Sequence, residues 1–300
     1  MTAPTKAWIV TGPTSGIGYR TALEVATHGT VVLVGRSAAK LDAVRTEIES
    51  TGGHALTVVA DLSDITSARA AAAQITSLGL SIGGLLNNAG IFPARPSTSA
   101  QGWDVAFATN HLGPFALTEA LIPTLPDGAN VVFIVSAVED PERRIAVQAG
   151  FRGARYISAE ASARGEWLSP GGSKLPGGDA YATSKQGPLA AALALARQYP
   201  RLRFNAVEPG VNPGSNLGRD MDPALVAVSK ALAPVMQLMP HYTTPKKAAV
   251  VITRILTSEK PDTGVYFDEN GEPMRGSTQV HDPAFQDRVV AETRALLATV

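Results

Sequence analysis

Tyr181 and Lys185 stand four positions apart at the start of an alanine- and leucine-rich run, so a helix there carries both side chains on one face. A phenol with its usual pKa near 10 is a weak acid-base group, and an ammonium beside it favours the phenolate. At about 4.5 Å and an effective dielectric near 20 their attraction is about 3.7 kcal/mol, enough to draw the phenol roughly 2.7 units toward neutrality. Such a pair can give or take a proton at a reacting oxygen. Ser136 follows the apolar run Val131 to Val135, at a strand end where open α/β sheets place their ligands, though a lone serine there means little. Asn110 precedes Pro114 by four, and proline has no N–H for the Asn110 carbonyl, which leaves a free acceptor able to hold a water. Taken alone, Tyr-x-x-x-Lys more often just flanks a helix start, and the reading needs companions.

A companion lies near the N-terminus. Thr11-Gly12-Pro13-Thr14-Ser15-Gly16-Ile17-Gly18 falls between the apolar run Ala7 to Val10 and a helix-like segment reaching about Thr27. A strand ending in a glycine-rich bend that opens a helix leaves N–H groups uncovered at the positive end of the helix dipole, a cradle for phosphate. Gly12 allows the tight turn, Gly16 close approach to a pyrophosphate, and Gly18 packing of helix on strand. The spacing Gly-x-x-x-Gly-x-Gly departs from the commoner Gly-x-Gly-x-x-Gly. After the second strand, Val31 to Val34, come Gly35, Arg36 and Ser37 with no acid, and an arginine there suits a ribose 2′-phosphate. Asp61 and Leu62 follow the third strand where an adenine edge would lie, although Asp61 could instead open the next helix with Asp64.

The elements that position these groups are legible from period and punctuation. Ala55 to Val59 reads as the third strand, and Leu85-Leu86 with Asn87-Asn88-Ala89-Gly90 as the fourth strand and its turn. A helix is expected from about Gln101 to Thr124, a sixth strand over Arg203 to Val207 and a seventh over Gly264 to Phe267. Asp222-Pro223, Thr244-Pro245 and Asp282-Pro283 each place a cap residue before a proline at the first helical position. Pro188 inside the catalytic helix predicts a bend. From about 138 to 178 the periodicity is poor, and Phe151, Tyr156 and Trp167 are expected to cover the Leu189 to Leu195 face of that helix.

Basic and acidic residues both number 26, so no global field favours nucleic acid or an anionic membrane. The absence of cysteine excludes thiolate chemistry and fits a reducing compartment. His28, His54, His111, His241 and His281 are scattered and read as surface or loop residues with no metal site. No long apolar span or leader-like region occurs, and a cytoplasmic protein is expected.

In order along the chain, Thr11-Gly-x-x-x-Gly16-x-Gly18, Asp61, Asn87-Asn88-Ala89-Gly90, Asn110, Ser136, Tyr181-Ala-Thr-Ser-Lys185 and Pro209-Gly210 resemble a short-chain dehydrogenase/reductase. The gap before Tyr181 and the Pro209 to Gly214 loop are similar to retinol-dehydrogenase-like and protochlorophyllide-reductase-like members. The resemblance implies an α/β fold: one doubly wound Rossmann domain over 1–300, a seven-stranded parallel sheet, an insertion at about 138–178 and a substrate loop at about 211–240. It implies NADP(H) held by Gly12, Thr14, Ser15, Gly16, Ile17, Gly18, Arg36, Ser37, Asp61, Leu62, Asn88, Ala89, Gly90, Tyr181, Lys185, Pro209, Gly210 and Val211. The threonine usual after Pro-Gly is missing, and Ser215 is the nearest hydroxyl.

The implied reaction is reduction of a ketone or aldehyde on a bulky, weakly polar small molecule, or its reverse. Tyr181 is the proton donor, Ser136 holds the oxygen, Lys185 binds ribose and supports the phenolate, and Asn110 links Lys185 to solvent through a water. The alternatives are a C=C-reducing or cyclase-like enzyme on the same fold, and a dinucleotide-sensing protein. A monomer is expected, because the insertion occupies the helix face through which many relatives pair.

Overall fold

The computed structural model describes residues 6–167, 172–212 and 241–300. Seven strands form one parallel sheet in the order β3-β2-β1-β4-β5-β6-β7. They are β1 Ala7–Thr11, β2 Thr30–Gly35, β3 Ala55–Val59, β4 Ile82–Asn87, β5 Asn130–Ile134, β6 Arg203–Val207 and β7 Tyr266–Phe267. Order reverses between β1 and β4, whose carboxyl ends therefore part and leave a crevice for a ligand.

Alternation along each strand explains the helices on both faces. Trp8, Val10, Val31, Leu33, Leu86 and Val132 pack with α1 Gly16–Val25, α2 Ala38–Ser50 and α9 Pro245–Thr257. Ile9, Val32, Val34, Leu85, Val131 and Phe133 face the other way, against α3 Ile65–Ser77, α5 Gly113–Leu121, α8 Gly178–Gln198 and α10 Pro283–Leu297. Each fully buried valine, leucine or isoleucine contributes about 1.5 to 3 kcal/mol relative to exposure, so the two cores fix the register of the sheet between them. Caps set the helix starts: Asp64, Thr244 and Asp282 accept from Thr66, Lys247 and Ala284 N–H groups respectively. The helix start expected at Asp222-Pro223 lies outside the described residues.

The expected helix over Gln101 to Thr124 begins later and is composite. Asp104 caps α4 Val105–Phe107, a π turn spans Ala108–Leu112, and α5 follows. Gly113 N–H bonds the Ala108 carbonyl five residues back, and Pro114 cannot restore the regular ladder. Gly113 itself is required, since a Cβ there would stand 1.8 Å from the Leu62 carbonyl oxygen. Pro188, by contrast, does not divide α8, which runs to Gln198 as one helix. The seventh strand is shorter than the apolar run because Val265 N–H turns to the Asn205 side chain.

The insertion carries two short helices, α6 Arg144–Gln148 and α7 Ala159–Ala163, where poor periodicity gave an irregular segment. Its aromatics also divide differently from expectation. Tyr156 packs edge-on to Phe285 of α10, with its hydroxyl 2.8 Å from Glu292, and Glu292 also accepts from Ala159 N–H. Phe151 turns to the site, and Trp167 makes no ring contact among the described residues. The Leu189 to Leu195 face is covered chiefly by α10, which shares the core with it through Phe285, Val289 and Val290. His111 departs from the surface reading as well. It is fully buried under Gly187, bonded to Thr293, and burial drives its pKa down to about 3, so it is neutral.

Candidate active site

The carboxyl ends of β1, β2, β4, β5 and β6 open into one cavity of about 790 Å³. At one end lies the glycine turn. Gly12 and Gly16 take positive φ of 66° and 57°, and a Cβ on Gly12 would meet the Ala89 backbone at 2.9 Å. A Cβ on Gly18 would strike the Asn88 amide and the Gly12 carbonyl, both at 2.3 Å. Thr11 and Asn88 hold the turn together: the Thr11 hydroxyl accepts from the N–H groups of Asn88 and Ala89, and the Asn88 amide donates to the Thr11 carbonyl. Ser15 stands at the N-cap of α1 without a side-chain cap bond, so the first N–H groups of α1 face the cavity uncovered. Uncovered N–H groups at the positive end of a helix, approached by backbone too tight for side chains, fit the pyrophosphate of a dinucleotide.

Thr14, Ser15 and Ile17 line the same end, followed outward by Arg36, Ser37, Asp61 and Leu62. Arg36 is exposed and, among the described residues, has no hydrogen bond or ion pair, which suits a cation awaiting a phosphate. Ser37 also caps α2 by accepting from Lys40 N–H, and Lys40 lines the same end, adding an ammonium to the Arg36 guanidinium. Asp61 does not begin α3. It accepts from the Ser63 N–H and hydroxyl, leaving Asp64 as the cap.

At the other end Tyr181 and Lys185 are nearly buried, and Lys185 Nζ is 5.8 Å from the centre of the Tyr181 ring. Nζ donates to the Ile134 carbonyl at 2.9 Å. A Cβ on Gly90 would lie 3.3 Å from Nζ and 3.2 Å from the Asn110 side-chain oxygen, so this glycine lets three elements meet. The Asn110 amide donates to the Ile91 carbonyl and the Ser184 hydroxyl, and its oxygen accepts from Ile91 N–H, tying the π turn to the β4 loop and to α8. Its place on the π turn leaves its carbonyl without an N–H from Pro114. Ser136 lines the same end of the cavity, and its hydroxyl acts to lower the Tyr181 pKa.

The expected drop of the Tyr181 pKa toward neutrality is not found. Burial pushes the phenol well up, Glu208 adds to the rise, and only the Ser136 hydroxyl opposes it, while the Lys185 ammonium is turned to Ile134. Burial also lowers the Lys185 pKa to about 8, with the Glu208 charge working against the fall. Pro209, Gly210 and Val211 line the cavity below, and Gly210 needs its positive φ of 76°. Ser215 lies outside the described residues. Among the described residues no group of three His, Cys, Asp or Glu side chains is placed to hold a metal.

The short chain dehydrogenase family model matches residues 6–147. A short-chain dehydrogenase/reductase of Armillaria gallica is 33% identical over 232 residues, which are 73% of this chain and 68% of that protein. The chain belongs to the short-chain dehydrogenase/reductase family. Human retinol dehydrogenase 11 is 38% identical over 129 residues, 42% of this chain and 41% of its own, in keeping with the retinol-dehydrogenase-like features of the sequence. A solved protein from Mycobacterium paratuberculosis shares the fold with a TM-score of 0.69 at 24% identity, covering 98% of this chain and 94% of that one. A blue fluorescent protein from a metagenomic library, solved with NADPH, gives 0.65 at 25% identity over 90% and 98%.

In this short-chain dehydrogenase/reductase the least legible part of the site is Glu208. It is buried, one carboxylate oxygen accepts from Ala137 N–H and the other from Gly210 N–H at 3.1 Å, and both bonds demand acceptors. It thereby ties the residue after Ser136 to the Pro209-Gly210 turn. No local pattern marks it, beyond an acid directly before Pro-Gly at the end of an apolar strand. Phe92 stacks on Tyr181 at 4.6 Å and Phe151 flanks both rings, walling the Tyr181 end with aromatic surface.

Lowering a lysine from 10.5 to about 8 corresponds to about 3 kcal/mol of burial cost carried by the charged form. Between those values the unfolded chain keeps a proton that the folded protein has released, so the cost relaxes as pH rises through the window. Lys185→Met should therefore raise stability at pH 7 by up to about 3 kcal/mol, less the lost bond to Ile134, and the advantage should shrink toward pH 10.5. Urea unfolding across that range measures it. Equal or lower stability of the variant at pH 7 would show that Lys185 is not held at a cost.

Proposed function

We propose that the protein is an NADP(H)-dependent reductase of a ketone or aldehyde on a bulky, weakly polar molecule, acting also in the alcohol-oxidising direction. The observation that carries this reading is the junction of Tyr181, Ser136 and Lys185 with the glycine-turn cradle in one cavity. NADPH held by the glycine turn would supply the hydride for the carbonyl carbon. Tyr181, kept protonated by burial, gives its proton to the carbonyl oxygen, and the Ser136 hydroxyl donates to that oxygen. Lys185 would hold the ribose and restore the proton to the Tyr181 phenolate. The Asn110 carbonyl, freed by Pro114, holds a water that connects Lys185 to solvent. Phe92 and Phe151 supply the apolar wall for a large substrate.

Several outcomes follow directly. Against a panel of ketones, aldehydes and enones, alcohol should form with equimolar NADPH loss. Tyr181→Phe should lower kcat about 10² to 10⁴-fold with cofactor affinity nearly kept. A variant that keeps most of its rate would move the proton donor elsewhere, and product from enones alone would make the enzyme a C=C reductase. Arg36→Ala should weaken NADPH binding about ten- to a hundredfold and NADH binding little, as fluorescence titration reads directly. Equal losses would remove Arg36 from the 2′-phosphate.

The lack of cysteine supports a cytoplasmic setting. Among the described residues no helix is long and apolar enough to cross a membrane. Cover of α8 by α10, braced by Tyr156 and Glu292, supports a monomer. Light scattering should give 31.2 kDa at every concentration, and a stable mass of twice that would mean that another surface pairs the chains.

A further inference from the structure

The cavity wall carries polar groups that the proposed hydride and proton steps do not use. Arg143 precedes α6, His241 follows the substrate-loop stretch, and Glu269 lies just after β7; all three line the cavity that holds Tyr181. Glu269 is 93% buried by its 7% exposure, and one of its oxygens accepts from His241 Nδ1 at 2.9 Å. A carboxylate only accepts, so Nδ1 bears a proton, and in the neutral ring Nε2 is then the accepting nitrogen. The His241 side chain is 42% exposed. Its backbone is held at φ 66°, in the left-handed region, by bonds from Val211 N–H to the His241 carbonyl and from Thr243 N–H to the Val211 carbonyl. A strained, doubly pinned residue that is oriented by a buried carboxylate marks a built position.

Arg143 is half-buried and has no ion pair among the described residues. Its guanidinium makes only a long 3.5 Å approach to His241 Nδ1, which Glu269 already engages. The nearby Glu208 interacts with it through charge but makes no ion-pair contact with it, and its two oxygens accept from the Ala137 and Gly210 N–H groups. The cavity thus offers a donor-only cation near an imidazole ring whose Nε2 can accept. That set matches a hydroxyl, which can accept from Arg143 and can donate to His241 Nε2. It suits an anion less, since Glu208 and Glu269 both lie close by.

We propose that Arg143 and the Glu269-oriented His241 form an anchoring subsite for a hydroxyl on the substrate, remote from the carbonyl that is reduced. The inference rests on the carbonyl-reductase reading and names its substrate class: hydroxylated carbonyl compounds.

The test uses methyl ketones of graded chain length whose far end is a hydroxyl, its methyl ether, an unsubstituted methyl or a carboxylate. At the best chain length the hydroxy ketone should exceed the unsubstituted one by about tenfold or more in kcat/KM, mainly through KM, with the ether between them. In Arg143→Met and His241→Phe the ratio of hydroxy to unsubstituted ketone should fall toward one, NADPH titration serving as the check that each variant is folded. The same four compounds are also titrated calorimetrically onto NADP-loaded protein, which reads affinity whether or not hydride transfer occurs. If no ketone turns over but the hydroxyl still binds best and loses its advantage in the variants, the reductase reading fails and the subsite stands. A carboxylate that outdoes the hydroxyl, a natural-protein ratio near one at every length, or a ratio that the variants leave intact overturns the subsite.

Discussion

An ammonium buried to within 3% of full cover is the constraint on which this site depends. Removing a lysine head group from water is costly unless nearby dipoles and charges replace the solvent. Here the replacement comes from the main-chain carbonyl of Ile134 at the end of β5 and from the buried Glu208 at the end of β6. Both are available only because the strands are parallel and finish at the same edge. Gly90, at the end of β4, leaves the room that a side chain would fill. The sheet therefore acts as more than a scaffold, since three adjacent strand ends form the polar surroundings of one side chain.

The same edge explains a contrast among helix starts. α2, α3, α9 and α10 are capped by their own serine, aspartate or threonine side chains, whereas α1 is not. A cap on α1 would occupy the N–H groups that the glycine turn exposes. Local stability is given up at α1, whose N-terminus opens on the glycine turn, and the Thr11 and Asn88 bonds beneath the turn offset that loss.

The strands, most helix starts and the glycine turn were legible because each is written in neighbouring residues: an apolar run, a cap before proline, a bend of glycines. Tyr181 and Lys185 were legible for the same reason, being one helical turn apart. Burial was not. It reverses the expected effect on the Tyr181 phenol and makes His111 a neutral core residue, and both depend on segments far away in the chain. Glu208, Arg143, His241 and Glu269 line the cavity as single polar residues on separate loops, with no period in the sequence to announce them. The aromatics of the insertion were seen as a covering group, but their partners were not: Tyr156 found Phe285 and Glu292, and Phe151 found Phe92.

That last arrangement has a bearing on how the chain is made. The outer side of α8, the helix that carries Tyr181 and Lys185, is closed by α10, and α10 begins at Pro283. At roughly 5 to 20 residues per second, a ribosome takes on the order of ten seconds between finishing the one and starting the other. During that interval the nascent sheet holds α8 with an uncovered flank of leucine and alanine. That flank stays uncovered until α10 has docked on it.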